Sequence, residues 1–460
     1  MTAFTTMLFT WIVFQVFYFG EYGPDLMLVK TLRPHHVLAL LTVASWLVAR
    51  ASGQTVRRKF GWAERLLIIL TVISTISIIF SGAAFGKIVL RNGQTTFSNK
   101  WLVCLLNMTY YPYVTFFCIR ALPYNRDFVI KFLKLLCYFG IYLAITGVCE
   151  HYPSLNRFVW PNYILDPHLG SHFGRTRGPF MESVAMGRVL SVCFGAWLVL
   201  RVEPLAFIRA LSVVFIMMLA VAEYFTKTRG PWVGMALICL AFFIYKSPIR
   251  KTLMRLGVLV FICAACGLSS KFSVGSKNLF LERQSTITDR IVTWITSIRM
   301  IEAHPLIGIG YGRFNDQWPH YFKEGSIEIT GFDGSHNTFL TMGAELGLPS
   351  LGIWLFIGYL LYRRCKRVLD RLDPAWDLER NFVIFTIGTL WMYYFTGWFS
   401  DLKWTTVQNT LMFIMLGIVS NMGYELDENS SDELPEHERK GAEEFAPISL
   451  AYEDGEKASS

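Results

Sequence analysis

Apolar blocks of about 20 residues recur along this chain with charged joints between them, and that pattern decides the fold class before any motif is read. About 20 residues of α-helix cross about 30 Å of hydrocarbon. On that scale the 460 residues contain twelve candidate spans, at approximately 3–20, 35–49, 65–85, 101–120, 127–149, 184–200, 205–225, 231–247, 252–269, 338–363, 381–399 and 404–422. The expected fold class is all-α, a polytopic membrane protein of about 12 transmembrane helices. The second span is short and the tenth is interrupted at Gly347-Leu348-Pro349, so eleven or thirteen spans stay open. Composition argues against a water-soluble enzyme: 17% of residues are charged, where ordinary soluble chains hold roughly 25%.

The joints carry a sidedness signal. Loops two, four, six, eight and ten hold 21 Lys and Arg, whereas the short alternate loops hold 8. Short basic loops stay in the cytoplasm, so both termini are expected there. The net charge of +9 hides a split: residues 423–460 hold 12 acidic and 3 basic residues, which leaves +18 on residues 1–422. The basic body suits the inner surface of a bilayer, and the acidic tail has the composition of disorder. No nucleic-acid partner follows from this charge. The nine cysteines lie in or beside apolar segments, which supports neither a disulfide framework nor a zinc site. No basic residue precedes Lys30, so the opening helix lacks the start of a signal peptide and is expected to be retained.

This orientation places two long loops, about 150–183 and 270–337, on the outer side, with six of the nine histidines. Long polar loops on one face of an otherwise minimally connected bundle are where chemistry is expected. Ile287, Ile291, Ile295, Ile298 and Ile301 recur at helical spacing and predict one amphipathic helix ending near His304-Pro305. Its apolar face has two destinations, the membrane surface or the outer ends of the bundle. The Gly308-x-Gly310-x-Gly312 run that follows reads as a turn rather than a phosphate cradle, because it lacks the strand-turn-helix setting.

Three clusters can carry chemistry. Arg175 and Arg177, in Gly174-Arg-Thr-Arg-Gly-Pro-Phe180, stand before an apolar span. They can grip a phosphate bidentately or simply anchor a helix end at the interface. Lys227 and Arg229, in Thr226-Lys-Thr-Arg-Gly-Pro-Trp232, occupy a very short outer loop where basic residues are disfavoured. Anion binding is the simplest reason for them, and pairing with Glu223 is the competing one. His336, in Gly334-Ser-His-Asn-Thr338, stands where the second long loop re-enters the bilayer, followed by Asn337 and, on the helix, Glu345. An imidazole there can take a proton near neutral pH, or it can serve only to cap and pack the helix. Glu21 and Asp25 are the one pair considered for a divalent metal, against a solvated turn. No metal or cofactor is expected.

Taken in order, TRGPF (176–180), TKTRGPW (226–232), DRIVTWITSIRMIEAHPLIGIGYGRF (289–314) and SHNTFLTMGAELGLPSLGIW (335–354) resemble the O-antigen ligase family of bacterial membrane glycosyltransferases, the Wzy_C superfamily. The resemblance spans roughly residues 170–360. It implies a multi-helix fold with a catalytic periplasmic loop at 270–337 and a glycan on undecaprenyl diphosphate as donor. Arg177, Arg229 and Arg290 match the family arginines that hold the donor diphosphate, with Arg175 beside them, and His336 matches the family histidine, with Asn337 and Glu345 in support. It further implies metal-independent, inverting transfer in the bacterial inner membrane to an acceptor hydroxyl, on a glycan or on lipid A-core; the acidic tail, outside the motif set, either recruits partners of a polysaccharide assembly complex or serves as solubilising disorder. Trp160, Tyr163, Phe173, Phe180 and Trp318 are candidate sugar platforms or members of an interfacial aromatic belt.

The expected division is 1–160 for the first five helices, 161–363 for the ligase-like core, 364–422 for the last helices and 423–460 for the acidic cytoplasmic tail. Ligase and repeat-unit polymerase share donor grip and base, so they stay side by side. A lipid-linked glycan flippase or transporter is the competitor from another class.

Overall fold

The computed structural model describes residues 2–17, 34–82, 86–89, 95–98, 100–171, 173–201, 206–257, 277–323 and 335–432. Helices α1 (Thr2–Phe17), α2 (Pro34–Ala51) and α3 (Trp62–Phe80) are followed by a hairpin of β1 (Gly86–Val89) and β2 (Thr95–Ser98). The two strands pair antiparallel with Gly86 opposite Ser98 and Val89 opposite Thr95. Next come α4 (Lys100–Leu105), a π-helical turn (Leu106–Tyr110), α5 (Tyr111–Arg120) and α6 (Arg126–His151). Pro112 cannot donate into the helical ladder, and the widened π turn lies just before it. Short 3-10 turns lead to α7 (Ser183–Leu200), α8 (Ala206–Phe225) and α9 (Arg229–Ile244), and then to α10, described over 249–257. The set ends with α11 (Lys277–Ala303), α12 (Phe314–Tyr321), α13 (Thr338–Arg371), α14 (Asp377–Gly397) and α15 (Thr406–Asp432).

Every expected span overlaps a helix, with parts of the first, third, seventh and ninth outside the described residues. Among the described residues, four helices are long and apolar enough to cross a membrane: α3, α6, α7 and α13. Four shorter apolar helices accompany them, within α1, α2, α8 and α9. The chain is a membrane protein. The small hairpin is the one departure from an all-helical fold among the described residues. The acidic stretch read as beginning at 423 is helical at its start, because α15 continues to Asp432; residues 433–460 lie outside the described residues.

The central helix is α7, buried along nearly its whole length and packed by α6, α8, α9 and α14. In contrast, α3 turns Ile68, Ile69, Val72, Ile76 and Ile79 outward, the composition of a lipid-facing stripe. At one end of the bundle Glu64 of α3 is fully buried between Arg364 of α13, at 2.5 and 3.0 Å, and Arg120 of α5, at 3.4 Å. Arg120 also donates to the Tyr424 hydroxyl on α15. Basic joints far apart in sequence are thereby gathered at one end, while the opposite end of α3, at Ser77 and Ser81, bonds to the turn around Tyr311.

That turn fills a break in α13. Gly347 has φ 81° and ψ 166°, a conformation essentially restricted to glycine. The carbonyls freed there are taken by Ile309 N, 2.8 Å from Ala344 O, and Gly310 N, 3.0 Å from Glu345 O, while Leu348 N donates to Pro305 O at 2.8 Å. A Cβ on Gly347 would lie 2.2 Å from Leu306 O, and one on Gly308 2.4 Å from the Glu345 carbonyl carbon. The interruption read at Gly347-Leu348-Pro349 is therefore real, and the 308–312 glycines are a structural inlay.

Candidate functional site

The N-terminal end of α13 is held by an unusual density of short polar bonds. Asn337 is its N-cap, with the side-chain oxygen accepting from Phe339 N and Leu340 N at 3.0 and 3.2 Å. Such a cap satisfies donors the helix cannot. Ser335 N donates to Thr341 Oγ1 at 3.1 Å, and Ser335 Oγ bonds Asn337 O at 2.8 Å. Between these two buried residues His336 is exposed, with its backbone in the left-handed region at φ 53°. A β-carbon there carries a strain cost, so this backbone persists only because its neighbours over-determine it. The result is an imidazole presented outward on a rigid pedestal.

Helix α11 lies against that pedestal. Thr293 Oγ1 is 3.4 Å from Ser335 O, so Arg290, one turn earlier, belongs to the same neighbourhood. Arg290 is half-buried, and burial lowers its pKa from the usual arginine value. The predicted amphipathic helix is thus present and ends at Ala303, but its packing is inverted relative to a water-soluble helix. Val292, Thr293, Thr296, Ser297 and Met300 face the protein, while Ile291, Ile295 and Ile298 are exposed. Small polar residues at the protein interface with an isoleucine stripe outside is the arrangement of a helix in contact with lipid.

The arginine clusters lie around the N-terminal ends of α7 and α9. Arg177 is 1% exposed. Its guanidinium donates to Leu169 O at 2.6 Å, Ile164 O at 2.8 Å and Asp166 O at 3.0 Å, and faces Glu150 at 3.8 Å. Glu150 in turn accepts from the backbone N–H groups of Arg177 and Gly178. Arg177 therefore staples the 150–183 loop, and its bound guanidinium leaves no outward face. Arg175, two residues earlier, is exposed. The two clusters adjoin, since Thr176 N donates to Phe225 O at 3.2 Å. Lys227 (φ 51°) and Arg229, the first residue of α9, are both exposed. Glu223 is 2% exposed with neither carboxylate oxygen hydrogen-bonded, so it does not neutralise Arg229 or Lys227 as the competing reading required.

Two residues join the clusters to the His336 pedestal. A Cβ on Gly187 of α7 would touch Pro231 at 2.7 Å, which fixes α7 against the start of α9. The next residue, Arg188, is fully buried and donates to Thr396 O at 3.1 Å and to the Ser400 hydroxyl in the α14–α15 link. Ser400 O accepts from Thr338 Oγ1 at 2.9 Å. The N-terminal ends of α7, α9 and α13 and the C-terminal end of α14 thus meet, with Arg229, Arg290 and His336 around them. Arg188 was missed as a site residue, although an arginine inside the run SVAMGRVLSVCFGAW was a legible signal.

Of the candidate sugar platforms, Trp160 and Phe173 are exposed, whereas Phe180 is 2% exposed inside the core and offers no face. Among the described residues no group of His, Cys, Asp and Glu has the clustering of a metal site. Glu21 and Asp25 lie outside the described residues. Among the described residues no disulfide joins Cys104, Cys118, Cys137, Cys149, Cys193, Cys239 and Cys365.

Residues 213–355 match the family model of O-antigen ligase. No curated protein matches the chain. The family resemblance read from the sequence holds over this stretch, which includes Arg229, Arg290, His336, Asn337 and Glu345, while Arg175 and Arg177 precede it. The match supports a glycosyl-transferring role in polysaccharide biosynthesis at a membrane.

Proposed function

From the O-antigen ligase match over 213–355, we propose that this protein is an inner-membrane glycosyltransferase acting on an undecaprenyl diphosphate-linked glycan at the periplasmic face. The chain crosses the bilayer about twelve times with both termini in the cytoplasm. The ligase-like core at 161–363 carries the chemistry. The observation that carries the reading is the pedestal of His336: an exposed imidazole on over-determined backbone, beside the helix bearing Arg290.

In this mechanism an acceptor hydroxyl, on a glycan or on lipid A-core, attacks the anomeric carbon of the donor. His336 takes the hydroxyl proton as the new C–O bond forms. The bond from the anomeric carbon to the diphosphate oxygen breaks with inversion, and its electron pair leaves with the diphosphate. Arg229 and Arg290, with Arg175, meet that charge as it develops, each guanidinium offering a bidentate grip on the diphosphate oxygens. Asn337 holds the pedestal, and Arg177 orders the loop that presents Arg175. The bases for metal-independence and inversion are the family resemblance and the residue set alone.

Gene deletion tests the reading. Undecaprenyl-linked and surface glycans are analysed by electrophoresis and mass spectrometry in the deletion strain, complemented with wild type or His336→Ala. Long polymer stranded on the carrier identifies a ligase, and single repeat units identify a polymerase. His336→Ala should fail to complement, with a loss on the order of a hundredfold or more. Normal glycans in both fractions of the deletion strain overturn the assignment.

A further inference from the structure

One ammonium and two carboxylates are buried together behind the His336 pedestal. Lys403, in the α14–α15 link, lies 3.3 Å from Glu345 Oε1 and 3.7 Å from Asp401 Oδ2. All three side chains are at most 4% exposed. A buried charge without compensation is costly, so the cluster is a committed arrangement rather than a surface accident. Burial pushes the Lys403 ammonium down, but Glu345 and Asp401 more than reverse this, and its pKa stands above the usual lysine value.

The cluster is wired to the pedestal through single protons. Asp401 Oδ2 accepts from Thr341 Oγ1 at 2.9 Å. A threonine hydroxyl has one proton. Once that proton points at Asp401, Thr341 Oγ1 acts as acceptor toward Ser335 N at 3.1 Å, while the Ser335 hydroxyl, 3.0 Å away, gives its own proton to Asn337 O at 2.8 Å. The backbone of the same link is pinned by Thr338, which accepts from Leu402 N and donates to Ser400 O, both at 2.9 Å. The residue between Ser335 and Asn337 is the left-handed His336.

We propose that Lys403 is a positioning residue: by fixing the place of the Asp401 side chain it orients the Thr341 hydroxyl, which locks Ser335 and so aims the His336 imidazole. Lys403 does not touch substrate. It acts through a relay of two side chains, and the link can be cut in its middle with little change of shape. The inference rests on the reading of His336 as the base, so its test includes one measurement that is independent of glycan chemistry.

The decisive variants are Thr341→Val, which keeps the branched shape and deletes the hydroxyl, and Thr341→Ser, which restores it. Lys403→Gln is made alongside, and because it strands two carboxylates its folding is checked by thermal melting. The first readout is the rate of diethyl pyrocarbonate acylation of His336 in bilayer nanodiscs, by peptide mass spectrometry, with His304 as internal reference. The second is surface glycan output in the complemented deletion strain. Thr341→Val is expected to shift the His336 rate relative to His304 and to lower output by about tenfold to a hundredfold, the cost of a misplaced catalytic group. Thr341→Ser should restore both, and a folded Lys403→Gln should behave like Thr341→Val. If the His336 rate in Thr341→Val equals wild type, the positioning role is refuted whatever the output does. If that rate shifts while His336→Ala still supports full output, the positioning stands and the reading of His336 as base fails.

Discussion

Arg177 separates two accounts of the first arginine cluster, and Arg177→Lys tests them. In the structure the planar fork serves three carbonyls and Glu150 at once. A lysine ammonium reaching into the same space keeps the charge but cannot span carbonyls at 164, 166 and 169 together. At about 1.5–3 kcal/mol per charge-assisted bond, and with two such bonds lost from one shared loop, the local cost is about 3 kcal/mol. Opening of the loop should then become roughly a hundredfold more frequent, since about 1.4 kcal/mol is a factor of ten. Hydrogen exchange of the backbone amides at 164–181, followed in nanodiscs, should accelerate by that order while amides in the middle of α7 stay unchanged. Glycan output should fall together with loop order. If exchange in the loop stays at the wild-type rate while output collapses, the staple account is wrong, and Arg177 must turn outward to meet the donor diphosphate as its sequence motif suggested.

Other perturbations read other parts of the same frame. Glu64→Ala leaves the buried Arg120 and its partner Arg364 without their shared carboxylate, and should destabilise by about 3–5 kcal/mol; a melting temperature within error of wild type would contradict it. Gly347→Ala forces a Cβ to 2.2 Å from Leu306 O in a backbone region closed to alanine, so amides of Ile309 and Gly310 should lose exchange protection as the inlay is expelled. Retained protection would refute the interlock. Arg229→Lys keeps charge but loses the bidentate fork on an exposed residue outside every buried network. It should lower transfer on the order of a hundredfold with melting unchanged, and a fall in stability of the same variant would show a structural role instead.

The apolar helices were legible here because each is a long apolar block, and the break in α13 was legible because Gly347 and Pro349 punctuate one of those blocks. The hairpin at 86–98 had a signal that was passed over, Asn92-Gly93 between two short runs of β-formers. Harder to read was direction. The isoleucine periodicity of α11 gives a stripe but not its destination, and Ile291, Ile295 and Ile298 turn away from the protein, as apolar surface can in hydrocarbon, where it gains nothing by burial. What then brings helices together is close packing and satisfied polar groups, which is why Thr293, Thr296 and Ser297 point inward.

The same asymmetry explains the site. Sequence marks a charge as expensive in a membrane, but it does not say which partner meets the expense. Arg177, Arg229 and Lys403 look alike in sequence as basic residues at joints between apolar blocks, yet their surroundings give them three different tasks. Arg177 is consumed by carbonyls within its own loop, as a guanidinium with several donors can be. Arg229 begins a helix, with nearby Glu223 turned away from it into the protein, and so remains available at the surface. Lys403 finds one carboxylate two residues away and another on a different helix, a pairing that only the meeting of α13 with the α14–α15 link creates. A residue's candidacy for donor contact at this end of the bundle therefore follows from what remains of its hydrogen-bonding capacity after folding. On that criterion Arg229 outranks Arg177, although both stand in the same Arg-Gly-Pro setting.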